Sequence, residues 1–199
     1  MRKNYKLYDP DYVVGEYFIK RLDECVAGAP TQLDSSSDRF GVIKSSSIDL
    51  ARHTIVPLLF GNTRLKLFEA APLTSSLVYY FTEHHKDGSP WHPLLHIGIT
   101  SGMLVSRALE LGLDASFIAC QWDTVDNKQV NKLLHDNYAI PPKVKLKVKM
   151  VVCIGRGIEP DNLKQQQLKL LTGQTVEYSN SINHRGPKPA HYLQDSPAK

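Results

Sequence analysis

The sequence has few cysteines, no long apolar run and none of the compact phosphate or nucleophile motifs, and each absence removes a class of protein. Cys25, Cys120 and Cys153 are the only cysteines in 199 residues; they lie far apart and form no CxxC pair. That excludes a disulfide framework and points to a reducing, cytoplasmic compartment. No apolar run approaches the roughly 18–20 residues that cross a bilayer, so no membrane partner is expected. The opening MRKNYKLYDPDY has no apolar core and does not read as a secretory signal. There is no GxSxG, Walker A loop or GxGxxG, and GITSG and GRG are too loose to serve as phosphate loops. Excess charge is small, with a net +4. It is concentrated at Arg2, Lys3 and Lys6, in the run 143–149, and at Arg185 and Lys188. Such clusters suit a small phosphorylated ligand. No nucleic-acid-binding motif accompanies them, so nucleic acid is not an expected partner.

What is present is ordinary for a soluble globular chain: 42% apolar and 22% charged residues. The length suits one domain over 1–199, without internal repeats, and the polar residues 156–199 read as a tail wrapping the surface or a partner chain. Residues 11–27 have near-helical apolar spacing, with Gly28 as the stop. RFGVI (39–43) reads as a strand, 48–60 as a helix capped by Ser47 and kinked or shortened by Pro57, and SLVYYFT (76–82) as a buried strand. The segment 93–111 is a helix that is apolar nearly all round, which means burial, and in so small a chain a second chain supplies part of the cover. Gly98 and Gly102 each cost about 1 kcal/mol relative to Ala in that helix, a cost that close helix crossing explains. DASFIACQ (114–121) reads as a strand and 124–137 as a helix capped by Thr124. KVKLKVKMVVCIG (143–155) alternates lysine with apolar residues, the period of a strand with one wet face. Alternating helices and strands define an α/β or α+β domain.

Two groups could carry chemistry on residue type alone. His92 and His96 stand four apart, a spacing that can chelate a metal, but no HExxH and no nearby cysteine completes a ligand set. The N-cap role of His92 is the simpler reading. Cys120 directly follows a strand and could be a nucleophile, although a small apolar core residue is the commoner role.

The collective signal is the order of five segments: RKNYKLY, APTQLDSSSDRF, GNTRLKLFEAAPLTSSLVYYF, SRALELGLDASFIAC and LKVKMVVCIG. Over roughly residues 2–155 this order resembles the FMN-dependent nitroreductase superfamily. Its members open with an Arg-Arg-Ser-x-Arg-x-Phe-type segment, then carry an "aPSxxNxQPW" loop, a GN segment before "APxxIVV", a long dimer-core helix running into "A..LGL....IG", and a "VxxVVxxG" strand. The resemblance implies an α+β fold, a mixed sheet flanked by helices, in an intertwined homodimer with FMN at the interface. It implies hydride transfer from NAD(P)H through FMN to an oxidised acceptor such as a nitroaromatic or quinone. The alternative is a flavin-binding protein of the same fold with a specialised reaction or without NAD(P)H turnover.

Carried over by position, the resemblance assigns Arg2, Lys3, Asn4 and Lys6 to the FMN phosphate and ribityl chain, where charge-assisted bonds are strongest. Pro30, Thr31, Gln32 and Asp34 reach the flavin from the partner chain, and Asn62 meets the pyrimidine edge. Backbone N–H groups of Ala119 and Cys120 face the flavin, and Arg185 or Lys188 completes the phosphate site. No catalytic side chain and no metal are implied, since the flavin carries the chemistry. The chain departs from the pattern at Asn4 (usually Ser), at Asp34 (usually Asn), at Ser36-Ser37-Asp38 in place of the Gln-Pro-Trp end, and at Ala119-Cys120 in place of an acidic-glycine pair.

Overall fold

A run apolar at both odd and even positions can only sit in the middle of a sheet, covered on both faces. LVYYF meets that condition in β4 (Leu77–His84), and MVVCI meets it in β6 (Leu146–Gly155). The two strands pair antiparallel at the centre of a four-stranded sheet of order β2-β4-β6-β5, with β2 (Phe40–Ser45) and β5 (Asp114–Ala119) at the edges. The computed structural model describes residues 7–30, 40–46, 50–60, 65–66, 71–84, 91–120, 127–138, 146–158 and 176–177. Among the described residues every pairing in the main sheet is antiparallel. Parallel pairing occurs between β3 (Leu65–Lys66) and β8 (Val176–Glu177). β1 (Leu7–Tyr8) pairs with β7 (Gly157–Ile158) beyond the end of β6.

The two faces carry separate cores. On one, Val78, Tyr80, Val151 and Cys153 pack with Ile55, Val56 and Leu59 of α2 (Leu50–Phe60), with Ala71 and Leu73 of α3 (Ala71–Thr74), and with Val130 and Leu134 of α5 (Asn127–Tyr138). On the other, Leu77, Tyr79, Phe81, Val152 and Ile154 pack with Leu22 of α1 (Glu16–Ala27) and with Ile97, Leu104, Val105 and Ala108 of α4 (Trp91–Glu110). α1 begins five residues after the expected start. Val14 is buried, but from an extended segment that ends at the Gly15 N-cap. At the other end the Gly28 N–H bonds to the Glu24 carbonyl, and a Cβ on Gly28 would stand 3.2 Å from that oxygen. α2 runs through Pro57 to Phe60 rather than stopping at the proline. The expected caps Ser47 and Thr124 lie outside the described residues. α4 closes in a glycine turn: Gly112 has φ +76°, its N–H bonds to the Leu109 carbonyl, and the Leu113 N–H reaches back to Ala108. That turn feeds the chain directly into β5.

The register of β4 on β6 shifts once. Phe81 faces Met150 and Thr82 faces Val148, which leaves Lys149 as an extra residue, a β-bulge. Its consequence is parity. Leu146 and Val148 fall into the same core as Val151 and Cys153, which strict alternation would forbid. The bulge also corrects the wet-face reading of the lysine run. Lys149 is only 5% exposed, and its Nζ lies 2.8 Å from Glu83 Oε2.

Tyr79 ties the second core to α1. Its hydroxyl donates to Asp23 Oδ1 at 2.8 Å, and Asp23 also pairs with Lys44 of β2. Burial, and then the bond to Asp23, raise the Tyr79 phenol well above its ordinary value. The native state therefore holds this proton where the unfolded chain loses it, so the contribution is complete below about pH 10 and is lost as pH rises further. Tyr79→Phe should cost about 1 kcal/mol at neutral pH and flatten the alkaline loss of stability. Urea titrations between pH 7 and pH 11 read both effects, and an unchanged alkaline slope would contradict this role.

Candidate functional site

The candidate site lies at the end of the sheet that carries Ala119 and Cys120. The registers Phe40↔Glu83, His84↔Leu146 and Ala119↔Met150 bring the start of β2, the end of β4, the start of β6 and the end of β5 together there. At that end the Cys120 N–H donates to the Lys149 carbonyl at 3.2 Å. Antiparallel strands point successive N–H groups alternately toward and away from the neighbour. The Ala119 N–H therefore faces away from β6, and because β5 is the outermost of the described strands it points out of that side of the sheet. Phe117 and Ala119 are exposed along this edge, with Met150 half-buried beside Ala119. An outward N–H flanked by apolar surface suits a flat ligand that has a hydrogen-bond acceptor on its rim.

The expected pair of amide donors thus narrows to one. Cys120 uses its N–H inside the sheet, and its thiol is buried and pushed up to about 12 by desolvation. A thiol protonated at neutral pH is no nucleophile, which leaves Cys120 in its role as a core residue. Pro30 is exposed just beyond α1. The chain between it and Phe40 holds Thr31, Gln32 and Asp34 and joins β2 at the same sheet end as Ala119. Arg2, Lys3, Asn4, Lys6, Thr31, Gln32, Asp34, Asn62, Arg185 and Lys188 lie outside the described residues. The chain directly after the basic segment is anchored at the other end of β6. The Tyr8 hydroxyl bonds to Ser116 Oγ (2.8 Å) and the Cys153 carbonyl (3.1 Å), and its N–H to Thr74 Oγ1 (3.1 Å).

His96 points into the protein. It is 4% exposed and stacks on Phe40, with ring centroids 6.0 Å apart and 12° between planes. Among the described residues no three His, Cys, Asp or Glu side chains gather as metal ligands, and His92's side chain is outside them. The sequence reading missed the Lys149–Glu83 pair. The usable signal was the change from alternation to the continuous run Met150–Ile154, which marks where the strand period breaks.

A second surface lies on α4. Leu95, Gly98, Ile99, Gly102 and Met103, at helical spacing, form an exposed stripe. A Cβ added at Gly98 or Gly102 would meet nothing within 4 Å. Packing within the described chain therefore gives no reason for either glycine. Among the described residues no helix is long and apolar enough to cross a membrane.

No family profile matches the sequence, and no curated protein matches it. Solved structures do match in fold. A nitroreductase with bound FMN from Bacteroides fragilis superposes with a TM-score of 0.59 at 16% identity, covering 82% of this chain and 88% of the other. An FMN-dependent nitroreductase from Clostridium difficile gives 0.55 at 16% identity, over 83% and 92%. Nitroreductase A from Vibrio parahaemolyticus gives 0.59 at 11% identity, over 79% and 65%. The fold is thus nitroreductase-like, with helical layers on both faces of a sheet whose described strands pair antiparallel.

The three thiols should react unequally. Cys25 is half-buried, while Cys120 and Cys153 are buried. Titration of the native protein with a thiol reagent should modify one cysteine per chain, and all three after unfolding. Rapid native modification of Cys120 would contradict its place in the core.

Proposed function

We propose that the chain is an FMN-dependent oxidoreductase that transfers hydride from NAD(P)H to an oxidised acceptor such as a nitroaromatic or quinone, working as a homodimer. The observation that carries this reading is the outward Ala119 N–H at the edge of β5, within a fold shared with FMN-containing nitroreductases. The residues at that edge fit the group. A flavin ring has an acceptor nitrogen on its rim and a largely apolar body, and the edge offers an outward-facing donor beside Phe117 and Met150. FMN, when bound, supplies the hydride chemistry.

The chain's own residues then have separate tasks. The Ala119 N–H is the donor for the ring's N5 position, where a fixed dipole stabilises developing charge without reorganising. Phe117 and Met150 shield that bond from water. Arg2, Lys3, Asn4 and Lys6, with Arg185 or Lys188, hold the phosphate and ribityl chain through charge-assisted bonds. Pro30, Thr31, Gln32 and Asp34 reach over from the partner chain, and Asn62 meets the pyrimidine edge. The exposed stripe Leu95–Met103 on α4 supports the dimer: burying it against a second copy removes apolar surface from water, and the two glycines let the helix backbones approach.

The visible spectrum of the purified protein, with an FMN titration, tests the cofactor. Flavin absorption bands are expected, and Arg2→Ala with Lys6→Ala should weaken FMN at least about tenfold, the loss expected for removing charge-assisted bonds. A colourless protein that ignores added FMN would overturn the reading. A yellow protein that oxidises neither NADH nor NADPH with any acceptor would leave the flavin and remove the reductase. Ile99→Glu should convert the dimer to a monomer in light scattering, and a dimer that survives it would contradict the α4 interface.

A further inference from the structure

We propose that Tyr8 is a positioning residue: its hydroxyl ties the chain that holds the FMN phosphate to the strand whose Ala119 N–H meets the ring. This rests on the FMN reading above. The residues assigned to the phosphate and ribityl chain, Arg2, Lys3, Asn4 and Lys6, directly precede β1. The donor assigned to the ring lies on β5, three residues after Ser116. Tyr8 joins the two elements. Its hydroxyl oxygen stands 2.8 Å from Ser116 Oγ and 3.1 Å from the Cys153 carbonyl oxygen. The carbonyl can only accept, so it takes the phenol proton and the Ser116 hydroxyl donates to Tyr8. β5 has one strand neighbour, β6, among the described residues, and this bond ties it to β1 as well.

The fold needs the ring of Tyr8 more than its hydroxyl. The residue is fully buried and packs over Gly155, where a Cβ would stand 3.1 Å from Tyr8 Cδ1. The backbone of β1 has its own ties. The Tyr8 N–H donates to Thr74 Oγ1 at 3.1 Å, the Asp9 N–H donates to the Arg156 carbonyl at 2.8 Å, and Leu7 and Tyr8 pair with β7. A phenylalanine would keep all of these. Replacing both partners of a buried hydrogen bond by apolar groups of the same shape is close to neutral, so Phe at 8 with Ala at 116 would leave the core intact. What the two hydroxyls add is direction, a bond of set length between the start of the fold and the strand that faces the ligand. A ligand that touches both elements binds more tightly when they are already in place, because binding then has less of the chain to order.

The test is FMN affinity by fluorescence titration, with the melting temperature measured on the same samples. Tyr8→Phe should weaken FMN roughly threefold to tenfold, the range of one ordered contact. Tyr8→Phe combined with Ser116→Ala should melt close to the parent and still bind FMN as weakly. Affinity that recovers along with the melting temperature would overturn the proposal. In a protein that already carries Arg2→Ala and Lys6→Ala, Tyr8→Phe should change FMN affinity by less than about twofold, because the segment it positions has lost its main contacts. An equal loss in both backgrounds is what a loosened fold gives and overturns the proposal, as does a Tyr8→Phe protein that binds FMN as tightly as the parent. Should Tyr8→Phe alone fail to fold, the combined variant takes its place in both backgrounds. Each of these results leaves the cofactor standing. A wild-type protein that binds no FMN overturns both readings.

Discussion

The antiparallel pairing of β4 with β6 is the constraint on which the rest of the molecule depends. Both strands are apolar on both faces, so neither can lie at an edge, and each needs helices above and below. That places α1 and α4 on one side and α2, α3 and α5 on the other. It also leaves β2 and β5 outermost. The single irregularity in this pairing, the extra residue at Lys149, sets which side chains of β6 enter which core. The same residue's carbonyl takes the Cys120 N–H, and so determines that Ala119 keeps the outward donor. Fold and candidate site thus meet at one point of one strand.

The long elements were legible because their periods are strong. Tyr79 and Tyr80 of β4 announce a strand covered on both faces, and the apolar run of α4 announces a buried helix; both occur close to where the sequence puts them. The two-residue strands β1, β3, β7 and β8 carry no period and were invisible. Tyr8 shows why they nevertheless form: its ring is fully buried, and its hydroxyl reaches Ser116 and Cys153 across more than a hundred residues. Such an anchor is a tertiary fact. α1 was extended too far at its start because Val14 is buried without being helical.

The site was legible only in outline. Sequence order placed Ala119-Cys120 at the end of a strand, but which of two consecutive N–H groups is free depends on register, which the sequence does not display. Lys149 was misassigned for a related reason. Alternation implies a wet face only while the strand is regular, and the bulge turns that lysine inward onto Glu83. The close helix crossing expected at Gly98 and Gly102 is not made within the described chain. Nothing within the described chain occupies the space beside them.

The proposed function requires a flavin held at the outward-facing Ala119 N–H. Ala119→Pro tests it most directly. Proline removes that one donor, and an edge strand tolerates proline where the N–H faces outward, so the sheet and its melting temperature should be preserved. Flavin affinity, read by fluorescence titration, should fall by roughly five- to tenfold, the worth of about one hydrogen bond. A variant that folds and binds FMN as tightly as the parent would contradict the claim.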